Sequence, residues 1–184
     1  ELVWKWYAWR RGLVEGASPN AGHEALADLE RRLPVFSLVT QNVDGLHQEA
    51  GSGCVMELHH GNIRRSRCPV ENVTVEPAET DHLPPICPNC GSPLRPDVVW
   101  FGEALPVAEL EAASTAARSC DFLLSVGTSG LVYPAASLPH EALESGATVV
   151  EINPDPTPLS ARADFVVRGR AGEVLPRLVA AAFG

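Results

Sequence analysis

Short apolar segments alternate with helical patterns through the second half of the chain, and this alternation restricts the fold more than any other feature. Residues 122–126, 148–153 and 165–167 are rich in apolar, β-branched or aromatic side chains, as buried strands are. Helical periodicity predicts helices at 106–117, 133–145 and 173–182. Strands that alternate with helices predict an α/β fold built on a doubly wound parallel sheet.

The N-terminal segment fits the same scheme. Residues 2–11 are compatible with a helix, and Ser18-Pro19 predicts the start of another, with the hydroxyl as N-cap and proline at the first helical position. Residues 35–40 then read as a buried parallel strand. Pro34 ends the second helix, whose predicted core-facing residues are Ala21, Ala25, Leu26, Leu29 and Leu33.

Three polar or glycine-bearing runs come directly after predicted strands. They are Gln41-Asn42-Val43-Asp44, Gly127-Thr128-Ser129 and Asn153-Pro154-Asp155. Because ligands of parallel sheets bind at the carboxyl ends of the strands, we expect all three runs to line one crevice. The chain has no Gly-x-Gly-x-x-Gly phosphate loop and starts at Glu1 without an initiator methionine, so we expect the first strand–turn–helix unit to lie upstream.

Charge and hydrophobicity argue against two broad classes of partner. The 184 residues carry 14 Lys and Arg against 23 Asp and Glu, a net charge of −9, whereas sequence-independent nucleic-acid binding needs a basic surface. No apolar run approaches the roughly 20 residues of a membrane span, and no signal peptide opens the chain. We therefore expect no nucleic-acid partner, no membrane partner and a cytoplasmic location.

The segment 67–96 differs in composition from its surroundings. It is rich in acidic residues and proline, shows little periodicity and holds three of the five cysteines, including the pair Cys87-Pro88-Asn89-Cys90. This spacing indicates metal or redox chemistry rather than a disulfide framework. We predict a small module, 67–96, inserted between segments 1–66 and 97–184 of one larger domain.

The run from Gln41 to His47, Gln-Asn-Val-Asp-Gly-Leu-His, is the most informative of the polar runs. Two amides and a carboxylate at a strand end can bind a carboxamide and ribose hydroxyls, and can face a positive charge that develops on a sugar. The same residue types also form ordinary capped turns. The complete heptapeptide closely resembles the sirtuin motif Gln-Asn-x-Asp-Gly-Leu-His.

Further segments resemble sirtuin motifs in the same order along the chain. They are His60-Gly61 followed by Cys68, Val99-Trp100-Phe101-Gly102-Glu103, Gly127-Thr128-Ser129 with Val132 and Pro134-Ala135, and Asn153-Pro154. The resemblance covers essentially the whole chain. It implies a Rossmann-like domain with a small zinc-ribbon-like module, and an NAD-dependent protein-lysine deacylase that yields nicotinamide and 2′-O-acyl-ADP-ribose.

The resemblance also implies roles for individual residues. His60 would be the general base, with Asn42 and Asp44 beside the reacting ribose, and an imidazole suits that role near neutral pH. His59 is the alternative base, because this chain has one residue more than the usual Glu-Leu-His-Gly. The residues implied to contact NAD are Gln41, Asn42, Val43, Asp44, Gly127, Thr128, Ser129, Asn153, Pro154, Asp155 and Ala171. Those implied to contact the acylated lysine of a protein or peptide are Tyr7, Arg10, Trp100, Phe101, Gly102 and Val132.

The implied zinc site departs from the family pattern of two Cys-x-x-Cys pairs. Cys87 and Cys90 form one pair, and Cys68 starts the other, but Glu71 stands where its second cysteine is expected. Glu71 or His82 can complete a four-ligand set, because carboxylate and imidazole groups also bind zinc. A module that has lost its metal and is held by packing alone remains the alternative.

Tyr7 and Arg10 are three residues apart and therefore share a face of the first predicted helix. A phenol and a guanidinium together can bind a carboxylate by charge-assisted hydrogen bonds. Equally, the aromatic side chains of this helix can simply pack on the protein surface. The Tyr-x-x-Arg signature, followed by Pro-Asn-x-x-His at 19–23, resembles class III sirtuins and implies that succinyl- and malonyl-lysine are substrates besides acetyl-lysine.

Two other functions stay open at this point. The missing phosphate loop and the irregular cysteine pattern favour a catalytically weak NAD-binding or scaffold module. Protein ADP-ribosyl transfer is the other, because it shares its first chemical step with deacylation. The oligomeric state is not predicted.

Overall fold

The computed structural model describes residues 2–58, 61–75 and 83–184. The chain divides into two compact units. The first comprises Glu1–Ser18, Gln41–Gly45 and His59–Leu105, and the second Pro19–Thr40, Leu46–Leu58 and Pro106–Gly184. None of the helices in the described part of the chain is long and apolar enough to cross a membrane.

The second unit contains the predicted parallel strands. Strands β6 (Phe122–Val126), β7 (Thr148–Ile152) and β8 (Phe165–Val167) form one parallel sheet with β7 in the centre. Strands β1 (Leu38–Thr40) and β2 (Val55–Glu57) form a separate parallel pair. Parallel strands joined by helical crossovers confirm the α/β fold that the alternation predicts.

Helices pack on both faces of this sheet. On one face, Val149 of β7 shares a hydrophobic core with α4 (Val107–Ser119) and α5 (Leu138–Glu144). On the other face, the next residue, Val150, shares a core with α2 (Ala21–Arg32) and α6 (Ala171–Phe183). Because successive residues of a strand point to opposite faces, one apolar strand builds both cores. The other helical segments of this unit are α3 (Leu46–Glu49) and the 3-10 turns Ala135–Ser137 and Pro158–Ala161.

Helix α2 begins later than its sequence pattern predicts. Asn20 is the N-cap instead of Ser18, since its Oδ1 accepts hydrogen bonds from the Gly22 and His23 backbone N–H groups at 2.9 and 3.3 Å. The imidazole Nδ1 of His23 accepts in return from the Asn20 N–H at 3.2 Å. This reciprocal capping box satisfies two of the free N–H groups at the helix start, so the predicted cap at Ser18 is wrong.

Three residues predicted to be buried lie at the surface instead. Ala21 and Leu33, at the two ends of α2, are exposed, and so is Val35, with 85% of its surface accessible. The strand after α2 is shorter than predicted because pairing with β2 begins only near Leu38, whose N–H donates to the Cys54 carbonyl at 3.3 Å. The segment between the helix and the strand therefore runs outside the core.

The predicted helix 133–145 is divided. A 3-10 turn covers Ala135–Ser137, and α5 follows with Pro139 in its first turn, where the missing proline N–H has no helical partner to lose. Helices α4 and α6 match the predicted segments 106–117 and 173–182 to within about two residues, the usual uncertainty of helix ends.

The first unit combines helix α1 (Leu2–Glu15) with a three-stranded antiparallel sheet. Strand β3 (Ser66–Cys68) lies between β4 (Val73–Val75) and β5 (Arg95–Pro96). Trp4 of α1 is buried in a small core together with Cys68, Cys87 and Leu94. The predicted module 67–96 thus lies within this unit, where two of its three cysteines share one core with the first helix.

Candidate active site

The loop Gln41–Gly45 is held against the segment that follows the predicted base. The Ile63 N–H donates a hydrogen bond of 2.8 Å to the Val43 carbonyl. Gly45 has a φ of +75°, which strains any other residue, and a Cβ built there would lie 2.3 Å from Asn62 Nδ2, so the Asn62 side chain would have to move. The close approach joins the two segments into one local structure. His60 and the alternative base His59 lie outside the described residues.

Gly61 fixes the backbone directly after the predicted base. Its φ is +104°, and a Cβ at this position would lie 1.9 Å from the Asp97 carbonyl oxygen. Asp97 is itself buried and accepts a hydrogen bond from Arg65 Nε at 3.2 Å, with Arg67 Nη1 4.0 Å away. A larger residue at 61 would have to displace main chain, so moving a side chain cannot relieve the clash.

Tyr7 and Arg10 lie on α1 beside aromatic rings. The Tyr7 and Trp6 rings meet edge to face with centroids 4.8 Å apart, and the Arg10 guanidinium stacks over Trp6 at 4.9 Å. Burial raises the pKa of the Tyr7 phenol, and the nearby Trp100, Arg10 and Arg95 oppose that shift only in part. The phenol is therefore protonated near neutral pH and available as a hydrogen-bond donor.

The segment 99–103 forms a turn closed by an ion pair. Arg95 donates to both Glu103 carboxylate oxygens at 2.7 and 2.8 Å and stacks over the Trp100 ring at 4.1 Å. The Trp100 N–H also donates to Glu103, at 2.9 Å, and the hydrogen bond from Arg95 lowers the pKa of the Glu103 carboxyl. Gly102 has a φ of +89°, and Phe101 is 94% exposed, so the turn presents an aromatic ring outward.

In the second unit, two of the three polar runs come together. The Gly127 N–H donates to the Ile152 carbonyl at 2.9 Å, and the buried Asn153 donates from Nδ2 to the Thr128 carbonyl at 2.8 Å. Asn153 Oδ1 accepts from the Asp155 N–H at 3.3 Å. Because Gln41–Gly45 belongs to the first unit, its predicted place in the same crevice stays a prediction.

The remaining predicted contacts of the second unit lie at the ends of helices or in loops. The Ser129 hydroxyl accepts from the Leu131 N–H at 3.4 Å, and the Val132 carbonyl accepts from the Ala136 N–H at 3.0 Å. Ala171 begins α6, and Pro154 is exposed. These hydrogen bonds define the backbone of the loops. The ligand-binding roles of these residues stay predictions.

Three cysteines and one glutamate form a compact group in the first unit. The Cys68 and Cys90 sulfurs are 3.6 Å apart, and Cys87 Sγ lies 3.2 Å from Glu71 Oε2. One donor atom from each of the four residues lies within 4.8 Å of the others, and the cysteines are free thiols. Tetrahedral zinc with bonds of about 2.3 Å to sulfur separates its sulfur ligands by roughly 3.8 Å. The four donors therefore fit a zinc ion.

Glu71 occupies the position of a second cysteine because two turns repeat the same geometry. The Asn72 N–H donates to the Cys68 carbonyl at 2.9 Å, and the Gly91 N–H donates to the Cys87 carbonyl at 2.9 Å. Both turns end on a left-handed residue, with φ of 57° at Asn72 and 72° at Gly91. Glu71 and Cys90 stand at matching places in these turns. The other candidate ligand, His82, lies outside the described residues.

Sequence reasoning missed three residues that shape the first unit: Asn62, Asp97 and Arg95. Asp97 carried a signal, since an acidic residue directly before the apolar pair Val98-Val99 suggests a buried polar group. Asn62 and Arg95 carried none, because each acts through a contact that depends on the fold.

Comparison with known proteins agrees with this arrangement. The model of the Sir2 family matches residues 1–134. NAD-dependent protein deacylase 2 of Pyrobaculum aerophilum is 53% identical over 179 residues, which cover 97% of this chain and 72% of that protein. The solved structure of a Sir2 homolog–NAD complex is similar with a TM-score of 0.90 at 48% identity, over 97% of this chain and 70% of that one. Sir2 bound to acetylated peptide is similar with a TM-score of 0.84 at 33% identity, over 90% of this chain and 71% of that one. The chain therefore belongs to the Sir2, or sirtuin, family.

Proposed function

We propose that this protein is an NAD-dependent protein-lysine deacylase. The observation that carries the proposal is the heptapeptide from Gln41 to His47, whose first part is joined to the segment after His60 by the Val43–Ile63 hydrogen bond and the close approach of Gly45 to Asn62. A relative of this chain has been solved with NAD and another with acetylated peptide. NAD supplies the ADP-ribose group that accepts the acyl group, with nicotinamide as the leaving group.

The residues of this chain would divide the work by their chemistry. Gln41 and Asn42 offer amide groups to the ribose and carboxamide, and Asp44 offers a negative charge where positive charge develops on the sugar. His60 would take a proton from a ribose hydroxyl, a task suited to an imidazole near neutral pH. The Gly61–Asp97 contact supports this role because it fixes the backbone next to His60.

We further propose that succinyl- and malonyl-lysine are substrates. The Tyr7 phenol is protonated near neutral pH, and the Arg10 guanidinium lies on the same helix one turn away. The charge of Arg95 also lowers the pKa of the phenol, but the Arg95 guanidinium already forms two hydrogen bonds with Glu103. Tyr7 and Arg10 therefore supply a neutral donor and a cation that stacks on a ring face, a combination that suits an acyl carboxylate.

We also propose that Cys68, Glu71, Cys87 and Cys90 bind a structural zinc ion. The matching turns at Cys68 and Cys87 support Glu71 as the fourth ligand, and the burial of two of the sulfurs favours a site that stabilises the fold. Trp4 packs in the same core, so the ion would also steady the helix that carries Tyr7 and Arg10.

Nicotinamide release tests the proposed activity. The purified protein is incubated with NAD and matched peptides that carry acetyl-, succinyl- or unmodified lysine, and free nicotinamide and deacylated peptide are measured together. We expect both products in equal amounts from the acylated peptides, and a loss of at least about 100-fold in the His60→Tyr variant, as for removal of a general base. A matched His59→Tyr variant is measured beside it. If this variant loses more activity than His60→Tyr, His59 is the general base.

Two results would contradict the deacylase assignment. NAD binding without nicotinamide release would leave a binding or scaffold module. Nicotinamide release with intact acyl-lysine and ADP-ribose attached to protein would instead indicate ADP-ribosyl transfer.

Metal analysis tests the zinc proposal. We expect about one zinc ion per chain in the purified protein, retained in Glu71→Cys and much reduced in Glu71→Ala. Thermal unfolding with and without a chelator then gives a measure that does not depend on activity. A full zinc content in Glu71→Ala would remove Glu71 from the site.

A further inference from the structure

A buried carboxylate lies at the centre of the second unit, and no predicted role uses it. Glu151, in the middle strand β7, is 1% exposed. Its two carboxylate oxygens accept hydrogen bonds from the hydroxyls of Thr157 and Ser160 and from Arg168 Nη1, the last at 3.3 Å. A buried charge with this many partners is fully compensated, which makes its geometry specific.

The carboxylate determines which way the neighbouring hydroxyls point. A carboxylate accepts hydrogen bonds, and both hydroxyls donate to it. The lone pairs of each hydroxyl oxygen are then left to accept hydrogen bonds from other groups. The Ser160 oxygen then accepts from the Thr157 N–H at 2.9 Å and from Arg168 Nη2 at 3.0 Å. Glu151 therefore orients the guanidinium of Arg168 both directly and through Ser160.

The oriented guanidinium in turn binds the loop that follows β7. Arg168 Nη1 donates to the Asp155 carbonyl at 2.8 Å and lies 3.4 Å from the Asn153 carbonyl. The Asn153 side chain bonds the Thr128 carbonyl and the Asp155 N–H. One arginine thus connects the buried carboxylate to both loops that the sequence assigns to the nucleotide.

We infer that Arg168, held by Glu151, is a positioning residue for NAD: it keeps the loop 153–155 in the conformation that binds the adenosine side of the dinucleotide. The inference rests on the proposed function. Arg168 need not touch NAD, because the guanidinium acts through the two loop carbonyls. Lysine cannot replace it in positioning the loop, since a single ammonium group cannot reproduce the planar fork that contacts Glu151, Ser160 and the loop together.

Nucleotide binding measured by calorimetry with ADP-ribose tests this role. We expect Arg168→Met to raise the dissociation constant about tenfold, the effect of losing a charge-assisted hydrogen bond. The KM for NAD should rise by a similar factor, while kcat at saturating NAD and the KM for acylated peptide stay within about twofold. Arg168→Lys should recover the thermal stability of the unsubstituted protein and still bind ADP-ribose weakly.

The exposed Arg162, which pairs with Glu144 at 3.8 Å, provides the matched control. Arg162→Met should leave ADP-ribose affinity unchanged. Unchanged affinity in Arg168→Met would overturn the inference alone, and so would parallel losses of stability, kcat and affinity in both Arg168 variants, which indicate a general structural role. Failure of the unsubstituted protein to bind ADP-ribose would overturn the proposed function together with the inference.

Discussion

The loops assigned to the nucleotide and the residues assigned to the acyl group are held in different ways. In the second unit, Asn153 is buried and bonded to neighbouring main chain, and the buried Glu151 orients Arg168 against the same loop. In the first unit, Arg10 is exposed and stacks on a ring, and the exposed Glu103 pairs with the half-buried Arg95. We will call these the nucleotide loops (127–129 and 153–155) and the acyl cluster (Tyr7, Arg10, Arg95, Trp100 and Glu103).

The difference follows from how strongly water competes at each place. A buried polar group that loses its partner cannot turn to solvent, so the buried Asn153 restrains the main chain of the nucleotide loops to which it is bonded. An exposed ion pair gains little free energy and is weakened by salt, so the acyl cluster can adjust to its ligand. This contrast suits a nucleotide of constant structure and acyl groups of variable length.

The strongest test of the contrast is Asn153→Ala. The substitution removes the bond to the Thr128 carbonyl and the acceptor for the Asp155 N–H inside a buried site. We expect a loss of roughly 1–3 kcal/mol in the free energy of unfolding and a rise of about 10- to 100-fold in the KM for NAD. Both are measured on the same preparation, by thermal unfolding and initial rates. Wild-type values of both would mean that burial does not make this loop rigid.

Arg10→Met should act on substrate choice rather than on the fold. The exposed guanidinium stacks on the half-exposed Trp6 ring, so its loss disturbs little buried structure and we expect an unchanged melting temperature. Turnover of succinyl-lysine should fall about 10-fold or more, the effect of losing a charged hydrogen bond to a carboxylate, while that of acetyl-lysine changes less than about twofold. Competing peptides in one reaction give the ratio directly. Equal losses on both peptides would remove Arg10 from carboxylate binding.

The smallest effect is expected at Glu103. Because its pKa is lowered in the folded protein, the carboxyl group contributes stability above its ordinary titration range, and that contribution disappears as the pH falls through the lowered pKa. Glu103→Gln should therefore melt slightly below the unsubstituted protein near neutral pH and low salt. The gap should close at acidic pH and in high salt. A difference in melting temperature that persists at acidic pH would mean that Glu103 stabilises the turn by packing instead of charge.

Strong local patterns could be predicted from the sequence. Strands 122–126 and 165–167 were predicted with their observed bounds, because each is a short apolar run between predicted helices and is too short to form a helix of its own. The start of α2 was not predicted correctly, since Ser18-Pro19 and Asn20 are both acceptable helix starts by residue type. Only the position of His23, which closes the capping box on Asn20, decides between them.

The candidate site divides in the same way. The polar runs after strands were visible because their residue types and their place at strand ends are local properties. Arg168 and Glu151 were not visible as partners, because they are 17 residues apart in the chain. Glu151 lies on β7 and Arg168 directly follows β8, so they meet only when β7 pairs with β8.

The sequence by itself determined the α/β alternation, the polar runs at the strand ends, the cysteine pair at 87–90 and the motifs shared with the Sir2 family. These features depend on residue type and spacing within short segments, which the chain carries before it folds. The tertiary structure alone decided that Glu71 joins Cys68, Cys87 and Cys90, and that Asp97 closes on Gly61. Each of these depends on the distance between separate segments of the first unit, a distance that exists only once that unit has folded around its small core.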